Sequence, residues 1–138
     1  MSHQPTGIAL YDTAADDAAA AVIAAYSTSF GMATRLLGPR VRTHVRNIYA
    51  LVRVADEIVD GPAVEAGLDA ASAETLLDEL QHETMTAIGR GFSSNLIVHA
   101  FARTARECLI GADLTDPFFA SMRTDLTVAS HNNTSHNS

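Results

Sequence analysis

The chain has 138 residues, 47% hydrophobic and 18% charged, which suits one domain with a core and excludes a disordered segment. Its formal net charge of −7 argues against nonspecific nucleic-acid binding, and against anionic-membrane binding as a main role. All nine basic residues are arginine, which suits phosphate recognition but, beside 24 alanines, equally reflects a biased genome.

The pattern predicts helices throughout. Residues 1–12 read as a disordered N-terminus. A first helix begins near Thr13, with Asp16 and Asp17 in its first turn, and loosens at the hydroxyl-rich stretch Tyr26-Ser27-Thr28-Ser29-Phe30. It resumes through Met32 and Leu36 and ends at Gly38. Pro39 opens a second helix whose core-facing row is Val41, Val45, Ile48, Val52, Ala55 and Val59. Residues 61–71 read as a loop. Ser72 caps a third helix lasting to about Ile88, and Ser93 or Ser94 starts a fourth that Gly111 closes. Asp116-Pro117 opens a fifth, through Leu126, and the polar residues 129–138 read as a disordered tail. The expected domain therefore covers residues 13–128, all-α, with about five helices.

Cys108 stands alone, so no internal disulfide forms; it falls on the apolar face of the fourth helix as a small core residue. No signal-like N-terminus and no spanning apolar run is visible, so the expected location is cytoplasmic, with access to a membrane surface.

The most informative segment closes the second helix. Tyr49, Arg53, Asp56 and Asp60 recur at steps of four, three and four, which on a helix is one stripe. Gly61-Pro62 follows, so Asp56, Glu57 and Asp60 crowd a helix C-terminus, where the macrodipole is already negative. Carboxylates there repel the helix end and one another unless a cation joins them. Asp56 and Asp60 lie about 6 Å apart along the axis, a spacing that shares a hard cation without caging it. Mg²⁺ suits such a pair because it takes one or two carboxylates and fills its other positions with water and phosphate oxygens. Arg53 can reach the same anion with its forked guanidinium. A plainer reading makes Arg53, Glu57 and Asp60 ordinary surface ion pairs, and only the position at a helix C-terminus and the adjoining Tyr49 bring the two readings level.

Ser27-Thr28-Ser29-Phe30, Ala33-Thr34-Arg35-Leu36-Leu37-Gly38-Pro39, the run Ile48 to Asp60 and Met122-Arg123-Thr124-Asp125-Leu126 together resemble squalene and phytoene synthases, the head-to-head trans-isoprenyl diphosphate synthases. The overall look is nearest bacterial phytoene synthases, over about residues 20 to 128. The resemblance implies an all-α isoprenoid-synthase bundle in which two Asp-rich motifs hold Mg²⁺, with Mn²⁺ as an alternative, on prenyl diphosphates. It implies that Asp56 and Asp60 are metal ligands, that Arg53 contacts diphosphate, and that Ser27 and Ser29 lie near a phosphate group. Phe30 and Tyr49 would line the cavity. The implied reaction condenses two allylic diphosphates, geranylgeranyl diphosphate for phytoene in carotenoid biosynthesis, through a cyclopropyl intermediate.

Members of that family are about twice as long, and no second acidic stripe of the right form occurs here. The chain is thus expected to be the N-terminal half, inactive alone; truncation, a fragment, or completion in trans by a partner or second copy would each account for it. Helices built to pack on missing ones would expose apolar surface and favour self-association. The competing reading is a non-enzymatic helical interaction module. A ferritin-like di-metal bundle is set aside: Glu79-Leu80-Gln81-His82 supplies one Glu-x-x-His, and that fold needs two.

Overall fold

The computed structural model describes residues 7–60, 67 and 69–136, and these form helices without strands. In chain order they are α1 (Gly7–Tyr26), α2 (Thr28–Thr34), α3 (Pro39–Val59), α4 (Ala70–Arg90), α5 (Leu96–Cys108) and α6 (Ala112–His136). Among the described residues there are six rather than five because Ser27 leaves the helical conformation (φ −152°, ψ 92°) and starts a new helix. Its hydroxyl oxygen accepts the Phe30 N–H at 3.1 Å, so the stretch expected to loosen one helix caps a second.

Helix extends further at both ends than composition suggests. Residues 7–12 already belong to α1, and Tyr11 donates to the Ser93 carbonyl at 2.6 Å, tying that turn to the bundle; residues 1–6 lie outside the described residues. At the other end α6 continues to His136 where a disordered tail was expected, since neither Gly nor Pro interrupts the chain after Val128. It also begins before Asp116-Pro117. The Gly111 carbonyl accepts the N–H groups of Leu114 and Thr115, so a turn forms ahead of the proline, which then sits inside the helix.

α3 and α5 pack on each other at the centre. α1 lies across both, α4 contacts both, and α6 contacts α3 and α4. The main core joins Leu51, Ala55 and Val59 of α3 to Leu77 and Leu80 of α4, Val98 and Phe101 of α5, and Phe119 of α6. A second, smaller core is almost all alanine: Ala15 and Ala19 of α1 meet Ala50 and Ala100. These small side chains bring α1 close to α3 and α5.

That closeness turns α3 from its expected orientation. Val41 is 52% exposed and Val45, Ile48 and Val52 are half-buried, while Asn47, Ala50 and Leu51 are buried instead. Asn47 tolerates burial because its amide donates to Asp16 Oδ1 (3.1 Å) and Thr104 Oγ1 (3.0 Å). Arg103 in turn donates to both oxygens of Asp16 at 2.9 Å and lies 3.5 Å from Asp12. The fully buried His99 bridges the Ser93 N–H (3.2 Å, to Nδ1) and Asp12 (2.7 Å, from Nε2). With both nitrogens committed, that imidazole holds α1 on α5 and has no free lone pair to act as a base. His44 continues the network to Thr104 and Glu107, each at 2.9 Å, beside a cavity of about 270 Å³.

One core assignment changes at the end of α5. Cys108, expected inside, is exposed, and the next residue, Leu109, is 87% exposed. Leu109 takes the left-handed conformation (φ 59°) that ends the helix, so the chain swings away from the core two residues before Gly111.

Candidate functional site

The face of α3 opposite Asn47 carries the stripe. Tyr49, Arg53 and Asp56 are half-buried on it, and α3 has no basic residue in its last turn to offset the carboxylates. Asp60 does not continue the stripe as a helical residue. It is the exposed C-cap in extended conformation, its N–H still bonded to the Asp56 carbonyl at 2.8 Å.

α1 and α2 complete one rim. The Phe30 and Tyr49 rings stack with centroids 5.2 Å apart and planes 23° from parallel. One turn on, the Arg53 guanidinium lies over the Tyr26 ring, 4.5 Å from its centroid. Arg53 also pairs with Glu57, one helical turn along α3, so the ordinary i,i+4 pair is present. Ser27 faces the same corner as the α2 cap, and Ser29 is exposed on α2. The structure thus gathers Tyr49, Arg53 and Phe30, adds Tyr26, and leaves Ser29 and Asp60 at the periphery.

The far rim comes from α6. Burial pushes the Asp56 carboxyl above the usual carboxylate range; Arg53 opposes this, while Asp60, Asp125 and Glu57 push it further up. Asp125 is therefore close enough to Asp56 to be felt, although 69 positions of sequence separate them. Nothing in one-dimensional spacing pairs these two residues. Arg123, two residues before Asp125, pairs with Asp78 of α4 at 2.7 Å. Glu57, on the other side, holds the Arg53 guanidinium above its ordinary range by a side-chain hydrogen bond.

The donor set suits a shared hard cation better than a resident one. Among the described residues no three acidic, histidine or cysteine side chains converge closely enough to cage a metal. Asp56 nevertheless faces three further carboxylates with one arginine to balance them, and that arginine is already bound to one of the three. Mg²⁺ needs only one or two such carboxylates when a phosphate supplies the remaining oxygens, so these residues fit it.

The sequence matches the squalene/phytoene synthase family over residues 23–135, most of its length. The chain belongs to that family. Both rims of the candidate site, from Tyr26 through Asp60 to Asp125, lie inside the matched span, and the all-α fold is the one the family has. The family points to a prenyltransferase role. No curated protein and no solved structure matches the chain. Among the described residues no helix is long and apolar enough to cross a membrane.

Proposed function

We propose that the stripe on α3 is one wall of a prenyl diphosphate site, with Asp56 and Asp60 as ligands for Mg²⁺ or Mn²⁺. The observation that carries this reading is the half-buried Asp56 carboxylate at the end of α3, beside Glu57 and Asp60 and with Arg53 already bound to Glu57, within the family match. When bound, the metal would neutralise charge on the diphosphate. The remaining roles fall to side chains. Arg53, held by Glu57 and by the Tyr26 face, can exchange the carboxylate for phosphate oxygens, which its fork can bind in pairs. The Ser27 hydroxyl accepts from Phe30 N–H and keeps its own proton to donate to a phosphate, and the exposed Ser29 can do the same. The Phe30–Tyr49 stack offers an aromatic face to the hydrocarbon and to any allylic cation that develops.

The substrate that best suits this reading is an allylic diphosphate of the geranylgeranyl class, with phytoene the product of a complete site. A single acidic wall holds one diphosphate and does not clamp two, so the chain by itself binds and does not condense. Calorimetric titration with a non-hydrolysable geranylgeranyl diphosphate analogue tests this. Binding is expected to require Mg²⁺ and to weaken at least about tenfold in Asp56→Asn, a loss of about 1.4 kcal/mol, while Asp17→Asn leaves it intact. Equal binding in chelator, or by Asp56→Asn, would refute the proposal.

A further inference from the structure

The net charge of −7 hides a sharp internal asymmetry. Residues 18–55 contain five of the nine arginines and none of the sixteen acidic residues. Four of those five, Arg35, Arg40, Arg42 and Arg46, lie at the corner where α2 passes into α3. None of the four forms an ion pair among the described residues, whereas Arg53, Arg103 and Arg123 all do. The same corner carries exposed apolar side chains: Leu36 is 90% exposed and Met32 61%, with Val41 and Leu37 beside them. Three successive hydrogen bonds of the tight i→i+3 type, from Arg35, Leu36 and Leu37 N–H, continue α2 into this turn. Arg42 then donates to the Leu37 carbonyl at 3.1 Å, so the corner is a fixed projection.

Unpaired arginines alternating with protruding leucine and methionine are what a bilayer interface selects: the cations meet anionic headgroups and the apolar tips enter the acyl boundary. A nucleic-acid backbone would use the arginines and leave the leucines without a role. We infer that the α2–α3 corner docks on an anionic phospholipid bilayer, through Arg35, Arg40 and Arg42 with Met32, Leu36 and Val41. All sixteen acidic residues lie outside residues 18–55, although Glu107 lines the cavity that Arg40 also borders. This corner adjoins Phe30 and Tyr26 on the rim of the candidate site, so a prenyl chain dissolved in the bilayer would enter beside them. Docking itself rests on the charge and exposure of the corner and not on the diphosphate reading.

Flotation with phosphatidylcholine vesicles, with and without phosphatidylglycerol, is the direct test. The chain is expected to float with the phosphatidylglycerol vesicles and to stay behind with phosphatidylcholine alone, and high salt should weaken the binding. Arg40→Glu should lower partitioning at least about tenfold, and Leu36→Asn should lower it at unchanged charge. Arg90→Glu, an equal charge change on α4, should leave it unchanged. Circular dichroism of each variant excludes misfolding as the cause. The inference is overturned if anionic vesicles are not bound, if Arg90→Glu weakens binding as much as Arg40→Glu, or if the corner variants instead abolish self-association or binding to single-stranded RNA. Loss of diphosphate binding in Asp56→Asn, with flotation unchanged, keeps the two proposals separable.

Discussion

α3 carries polar residues on two opposite faces, and the bundle treats them differently. Towards α1 and α5, Asn47 is sealed in, and Asp12, Asp16, His99, Arg103 and Thr104 find partners within one network. On the other face Asp56 and Asp60 end the helix with Arg53 as the one cation among them, itself bound to Glu57. The sealed face is largely paired, although the buried Asn47 Oδ1 has no partner among the described residues. An excess of one sign, kept on a half-exposed face, is a candidate for something the fold does not supply.

Breaking the sealed face should have the largest effect. His99→Leu leaves the Asp12 carboxylate and the Ser93 N–H without their shared partner, and a loss of about 2–3 kcal/mol in urea unfolding is expected. A loss under about 0.5 kcal/mol would show that the network is not holding α1 in place.

An ordinary structural defect gives the scale for that result. Asn95 caps α5 by accepting the N–H groups of Ile97 and Val98, at 3.0 and 3.2 Å. Asn95→Ala should cost about 1 kcal/mol by the same measurement, less than His99→Leu.

The open face should respond least, and with the opposite sign. Because the Asp56 carboxyl lies above its ordinary range in the folded chain, the native state binds its proton more tightly than the unfolded state. Wild-type stability should therefore fall as pH rises from the usual carboxylate range through the raised value. Asp56→Asn should remove that slope and, at neutral pH without metal, match or exceed wild type by about 0.5 kcal/mol or less. A variant less stable than wild type there would mean that the carboxylate is already satisfied.

The helical class and the stripe were readable from the residues because both rest on local rules: period, caps and the Gly61-Pro62 stop. Boundaries slipped where two capping residues compete. Asp69 rather than Ser72 caps α4, its carboxylate accepting the Ser72 N–H at 2.8 Å, and Asn95 displaces Ser93 and Ser94 at α5. The orientation of α3 departs from its apolar row because Asn47 counts as polar in any pattern, and its burial rests on partners that α1 and α5 bring to it. The rims of the site were hidden for the same reason: the Phe30–Tyr49 stack and the nearness of Asp125 to Asp56 are products of helix packing. The concentration of arginines was visible in the sequence, but the net charge obscured it.

The central claim, that the carboxylates of α3 await a cation carried with diphosphate, is tested most directly by thermal unfolding. The midpoint should be followed against Mg²⁺ at fixed inorganic diphosphate, for wild type and for Asp56→Asn/Asp60→Asn. Wild type should rise with Mg²⁺ only when diphosphate is present, while the double variant stays flat. An equal rise in both proteins, or none in wild type, would contradict the account.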